Sequence, residues 1–230
     1  MRILLNILSR MLLAVAALLA MVACRNDEPG GHENDTRLDI VTFDYDDGSA
    51  STFTMQEHED SPLITLVAPG VTNLKLKKGE RTTLHYYELS AESKYQRTIK
   101  VNYSIHTIFD TIRVASKQKI DEYTNNPIQL KSVWRTGCFI NINALAQYTG
   151  ETRKLGLIID ESTLNNDVVD AYLIDDILDA DGLFYRRALI SVYTGNLWQK
   201  YHCSTLRVHI NDTCYPDVEY YDFSRPKNIE

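Results

Sequence analysis

Ile99-Lys100-Val101-Asn102-Tyr103-Ser104-Ile105-His106-Thr107-Ile108-Phe109-Asp110-Thr111-Ile112-Arg113-Val114 carries the plainest strand pattern in the chain and a change of phase within it. Up to His106, apolar and polar residues alternate, the period of a strand with one buried and one wet face. After Thr107 the phase flips, and Ile108, Asp110, Ile112 and Val114 form a mixed set. A strand that changes face needs a bulge or a bend, which a small, strongly curled barrel requires at its corners. Upstream, Leu74 and Leu76 alternate with Asn73, Lys75 and Lys77; Lys78-Gly79-Glu80 then reads as a turn and Arg81 to Leu89 as the returning strand. Segment 115–127, ending in Asn125-Asn126-Pro127, is polar and punctuated and is expected to be a linker.

Downstream, short strands are expected at Cys138–Ala146, Leu155–Ile159, Val168–Ile174, Ala188–Tyr193, Leu206–Ile210 and Val218–Phe223. Turn signals such as Asp181-Gly182 and Thr194-Gly195-Asn196 separate them, which predicts an antiparallel β-sandwich. Helix is confined to one or two turns around Asp167–Leu178, whose apolar residues partly follow a 3.6-residue period.

The N-terminus sets the address. Arg2 and Arg10 precede Met11–Ala23, 13 apolar residues in a row that end in small ones before Cys24. At about 1.5 Å per residue such a helix reaches only about 20 Å, short of the roughly 30 Å hydrocarbon core. Residues 1–23 therefore read as a signal peptide rather than a span. Met21-Val22-Ala23-Cys24 resembles the bacterial lipobox, with Met21 in place of the usual Leu. Two or three acyl chains on Cys24 would hold the protein to a membrane firmly. Residues 24–37 contain almost nothing apolar and are expected to be a flexible, lipidated tether.

With Cys24 lipidated, Cys138, Cys203 and Cys214 remain, an odd number that permits one disulfide at most. A short loop could join Cys203 and Cys214; a bridge from Cys138 to either, or three buried thiols, fits the spacing equally well. No CxxC pair or Cys/His cluster has zinc spacing, so no metal is expected.

The lipobox, the acidic tether, the Lys77-Lys78-Gly79-Glu80-Arg81 turn before a tyrosine-bearing strand, and the Gly137-Cys138-Phe139-Ile140-Asn141-Ile142 strand together resemble the NigD-like lipoproteins of Bacteroidetes. The resemblance covers nearly the whole chain after the signal peptide. It implies a mainly β protein, with an N-terminal OB-like small barrel over 38–118 and an antiparallel β-sandwich over 119–230. It also implies a cell-envelope address and a role connected with bacteriocin immunity, and it supplies no catalytic residue to carry over.

Charge is local. The chain sums to −7, but residues 24–60 hold two bases and eleven acids, whereas residues 61–230 hold 20 of each. Acids directly behind the lipid cysteine (Asp27, Glu28) resemble the signals that send such lipoproteins to the cell surface. Ten bases against four acids lie between Lys75 and Lys119, interleaved with Tyr86, Tyr87, Tyr95 and Tyr103. That is also the composition of a single-strand groove, yet the overall acidity and the compartment argue against nucleic acid. Residues 160–181 hold eight acids and no base, but neither they nor Asp44-Tyr45-Asp46-Asp47-Gly48 follow the EF-hand order. Glu57-His58-Glu59-Asp60 reads as a solvated turn.

No G-x-S-x-G, HExxH, P-loop or GxGxxG motif is present. His202 and Cys203 are neighbours whose side chains diverge, a poor base and nucleophile pair. The sequence thus points to a non-enzymatic protein without cofactor, anchored to the outer membrane through Cys24 and facing the cell surface. There it binds a protein or glycan partner, with a protective, immunity-like role foremost. Alternatives are a glycan-binding accessory lipoprotein using Trp134, Trp198 and exposed tyrosines, and a hydrolase with an unfamiliar site.

Overall fold

The computed structural model describes residues 36–148, 154–177, 184–227 and 229. The signal peptide, Cys24, tether residues 25–35 and the Asp181-Gly182 turn lie outside the described residues, while Arg37, expected at the end of the tether, opens the first strand instead. No helix among the described residues is long and apolar enough to cross a membrane.

Five strands close into a barrel: β1 (Arg37–Asp46), β2 (Ala50–Met55), β3 (Ile64–Pro69), β4 (Arg81–Ser93) and β5 (Gln96–His106), in the order β1-β2-β3-β5-β4. Only the β3–β5 pairing is parallel. Period-two patterning places Val41, Phe43, Phe53, Leu66, Leu84 and Ile99 inside. Tyr86 is fully buried among them because its hydroxyl donates to Asp39 Oδ2 at 2.8 Å. Register shifts at Phe43/Tyr45 and at His85/Tyr86 supply the bends that closure requires. Residues Leu74 and Leu76 form no strand; they pack from a loop, half-buried, against the barrel core. Asp46 and Asp47 accept backbone N–H groups from Gly48, Ser49 and Ala50, so that acidic run is hairpin chemistry.

The phase flip at Thr107 is the exit from the barrel and not one of its corners. β6 (Ile108–Thr111) pairs in parallel with β12 (Phe184–Tyr193), and β7 (Arg113–Ala115) in parallel with β10 (Lys154–Asp160). These two strands enter different sheets with Ile112 buried between them, so the sandwich begins at residue 108 rather than at 119. One sheet has the order β14-β13-β11-β10-β7 and the other β6-β12-β9-β8. The remaining strands are β8 (Gln129–Thr136), β9 (Phe139–Tyr148), β11 (Val168–Asp176), β13 (Thr205–His209) and β14 (Tyr221–Ser224). The sandwich is mixed rather than wholly antiparallel, since β11 and β13 also pair in parallel. Ile140, Ile142, Ile190 and Val192 from one sheet meet Leu157, Val169, Leu173 and Leu206 from the other.

Helix occurs elsewhere than expected. The expected linker carries α1 (Lys117–Asp121), capped by Ser116, whose buried Ile120 packs on Ile158 and Ile174. The Thr194-Gly195-Asn196 signal opens α2 (Gly195–Lys200), with Trp198 fully buried and its Nε1 donating to Thr194 Oγ1 at 2.9 Å. Where a helix was expected around Asp167–Leu178, strand β11 runs over Val168–Asp176.

Candidate functional site at the barrel–sandwich seam

The barrel and the sandwich meet around two buried arginines. Arg81 opens β4 in the phase opposite to the barrel interior, so its side chain points away from Leu84 and Tyr86. Its Nε donates to Ser191 Oγ (3.0 Å) on β12, its Nη1 to Thr42 Oγ1 (2.8 Å) on β1, and its Nη2 to Asn141 Oδ1 (3.2 Å) on β9. Ser191 Oγ also donates to Asn141 Oδ1, and Asn141 Nδ2 to Thr136 Oγ1. Phe139 lies over the guanidinium at 4.3 Å. Arg81 is 6 % exposed and makes no ion pair among the described residues; burial alone pulls its pKa below the ordinary value.

Arg135 on β8, 2 % exposed, has a carboxylate instead. Its Nη1 and Nη2 donate to the two oxygens of Asp60 at 2.9 and 3.0 Å, and Nη1 also to Gly137 O at 3.0 Å. Arg135 holds the Asp60 carboxyl below the usual carboxylate range. The Glu57–Asp60 segment is thus no free turn. Glu59 O accepts from Gly137 N at 2.7 Å, Glu59 bridges Thr136, and Glu57 pairs with Arg37 and Arg97. Gly137 has φ 53°, a left-handed conformation that L side chains rarely adopt, so the β8–β9 turn favours glycine there.

Beside the Arg81 cluster, with which it shares Thr42 and Phe139, runs a cleft of about 460 Å³ lined by Thr42, Thr54, Leu63, Gly79, Phe109, Phe139 and Tyr193. Phe139 contacts both Phe109 (6.4 Å between ring centroids) and Tyr193 (5.4 Å), giving one aromatic wall, and Leu63 stands 61 % exposed. An apolar cleft between two folded parts with a few polar groups has the make-up of a binding site. A second hollow, about 330 Å³, is lined by residues that include Asp167, Lys200 and His202. Its Asp167 carboxylate already accepts from Ser204 Oγ at 2.8 Å.

The residues expected from sequence are dispersed. Cys138 is half-buried, Cys203 buried and Cys214 exposed; all three are free thiols, so the structure holds no Cys203–Cys214 bridge. Cys203 faces the sandwich core while Cys214 lies beyond β13 at the surface. Of the two tryptophans expected as stacking platforms, Trp198 is fully buried in the core and Trp134 is half-buried. The basic stretch does not form one face: Arg81 points into the seam, Arg97 bonds Glu57 and Glu88, and Lys117 pairs with Asp121. On the outer face of β11 and β13, Tyr172 stacks on His209 at 4.6 Å, Lys117 lies over Tyr172, and His209 bonds Asp170 at 2.7 Å. Those ring faces are already occupied by one another. Among the described residues, no three metal-ligating side chains converge.

Sequence reasoning missed Arg81, Arg135, Asp60 and the Phe109–Phe139–Tyr193 wall as a site. Arg81 was legible only as one base among ten, and nothing local distinguishes a strand face wetted by solvent from one covered by a second domain.

No family model matches the chain, and no curated protein does. Solved structures do. A protein of unknown function from Bacteroides vulgatus superposes with a TM-score of 0.65 at 16% identity, over 84% of this chain and 91% of that one. A candidate lipoprotein from Bacteroides fragilis gives 0.61 at 11% identity, over 86% and 100%. A NigD-like immunity protein from Bacteroides caccae gives 0.57 at 15% identity, over 84% and 94%. The chain has the fold of these Bacteroides proteins, the NigD-like immunity protein included, as the resemblance in its sequence implied.

Proposed function

We propose that this chain is a non-enzymatic, lipid-anchored protein of the outer membrane, held through Cys24 and facing the cell surface. It recognises another macromolecule at the barrel–sandwich seam in a protective, immunity-like role. The observation that carries this reading is the aromatic-walled cleft beside the buried Arg81: the seam is fixed by the hydrogen bonds of Arg81 and of Arg135, so the cleft is preorganised for a partner. The fold shared with a protein named for immunity and another named as a candidate lipoprotein supports the same address and role. The glycan alternative loses Trp198 to the core, and a hydrolase would have to work from the hollow at Asp167, Lys200 and His202, where the Asp167 carboxylate already accepts from Ser204 Oγ.

The test is whether cells lacking the gene become more sensitive to toxins of competing strains, and whether Phe109→Ala with Leu63→Ala fails to restore protection. Unchanged sensitivity across a panel of competitors would count against the role. Full rescue by the cleft variant would count against the seam.

A further inference from the structure

The seam reading leaves one feature without a purpose, the uncompensated charge of Arg81. A buried guanidinium is costly unless it is paired. Three of its five N–H groups donate to neutral oxygens, and no carboxylate stands within 4.0 Å among the described residues. Arg135, at the same seam, shows that the fold can supply an acid where it needs one. Two of the residues touching the Arg81 guanidinium, Thr42 and Phe139, also line the cleft, so the charge lies one side chain behind the cleft wall. Because Thr42 Oγ1 accepts from Arg81, its own proton remains to be donated. Through apolar surroundings the buried charge also attracts an anion more strongly than it would in water. Phe109 stands on β6, the edge strand of its sheet; Thr111 N there already donates to Asp110 Oδ1 at 2.8 Å, so an extended chain alongside the cleft would meet the strand at Phe109.

We propose that the cleft receives an extended peptide segment of a partner protein, in which an apolar side chain stands beside a carboxylate. The apolar group enters between Leu63 and Phe109, and the carboxylate accepts from Thr42 Oγ1 with Arg81 behind it. This rests on the seam reading and specifies its partner.

A display library of random heptapeptides panned on the full chain, and counter-panned on Thr42→Val, tests it. Enriched sequences should place Leu, Ile or Phe next to Asp or Glu. A synthetic copy should lose about tenfold in affinity when its acid becomes the amide, the loss expected of a hydrogen bond to a charged group. Thr42→Val and Arg81→Gln, each checked for an unchanged circular dichroism spectrum, should bind acid and amide copies alike, and octanoate should not compete. Absence of enrichment, enrichment without acids, enrichment undiminished on Thr42→Val, or competition by octanoate would each overturn the inference. If protection in cells is lost in Phe109→Ala with Leu63→Ala but kept in Thr42→Val, the carboxylate fails and the seam stands; if both keep it, the seam itself fails.

Discussion

Arg81 and Arg135 lie at one seam and are almost equally buried, yet the fold treats them differently. Arg135 meets Asp60 through two parallel bonds near 3 Å, whereas Arg81 is solvated by Ser191, Thr42 and Asn141. The first arrangement is a closed account of charge and therefore a fastener. The second leaves a positive field behind an apolar cleft. The difference teaches that burial by itself does not tell a structural arginine from one kept ready for a ligand; the partner's charge does.

Removing one side of the fastener should have the largest effect. Asp60→Ala leaves the buried Arg135 with only Gly137 O at 3.0 Å and the exposed Glu59 at 3.7 Å, and is expected to destabilise the protein by about 3 kcal/mol, a fall of roughly 6–12 °C in melting temperature measured by calorimetry. Acid should reproduce part of this loss. The Asp60 carboxyl is held below its ordinary value of 3.8, so the pair's contribution is complete above that pH and fades as pH falls beneath it. Urea midpoints taken through this range should drop more steeply in the wild type than in Asp60→Asn, and equal slopes would remove Asp60 from the fastener.

Arg81→Met should cost less than Asp60→Ala, under about 2 kcal/mol, because Ser191, Asn141 and Thr136 keep their bonds to one another when the guanidinium leaves. A loss as large as that of Asp60→Ala would make Arg81 a second fastener and erase the distinction. The smallest effect belongs to Arg207→Ala. That arginine bonds Asp222 at 2.9 Å on the solvent face of β13 and β14, where water and salt screen the pair. Its melting curve should overlay the wild type at high salt, and a clear shift there would show that bidentate geometry rather than burial sets the ranking.

Much of the fold was legible. Alternation over Ile99–Ile105 and over the later segments marked strands, although in β5 Ile99 and Val101 pack on the barrel core while Tyr103 of the same set stands 52 % exposed. The failures share a cause. Residues 167–178 mimicked a helical period because α1 covers the outer face of β11 beside Ile174, so Leu173, Ile174 and Asp175 are buried in succession. Leu74 and Leu76 alternate with lysines, yet they close the barrel from a loop. The seam was hidden for the same reason: Arg81 and Thr83 occupy the phase that reads as wet, and the sandwich covers it.

Periodicity along the chain set the β content, the family resemblance implied the division into barrel and sandwich, and the run before Cys24 set the expected membrane address, because such patterns are written residue by residue. Only the tertiary structure decided where the chain passes from barrel to sandwich, that Cys203 is buried and Cys214 exposed, and which arginine has an acid. Those depend on surfaces brought together from 60 to 110 residues apart, as Arg81 with Asn141 and Ser191, and no local pattern records what will cover a strand's second face.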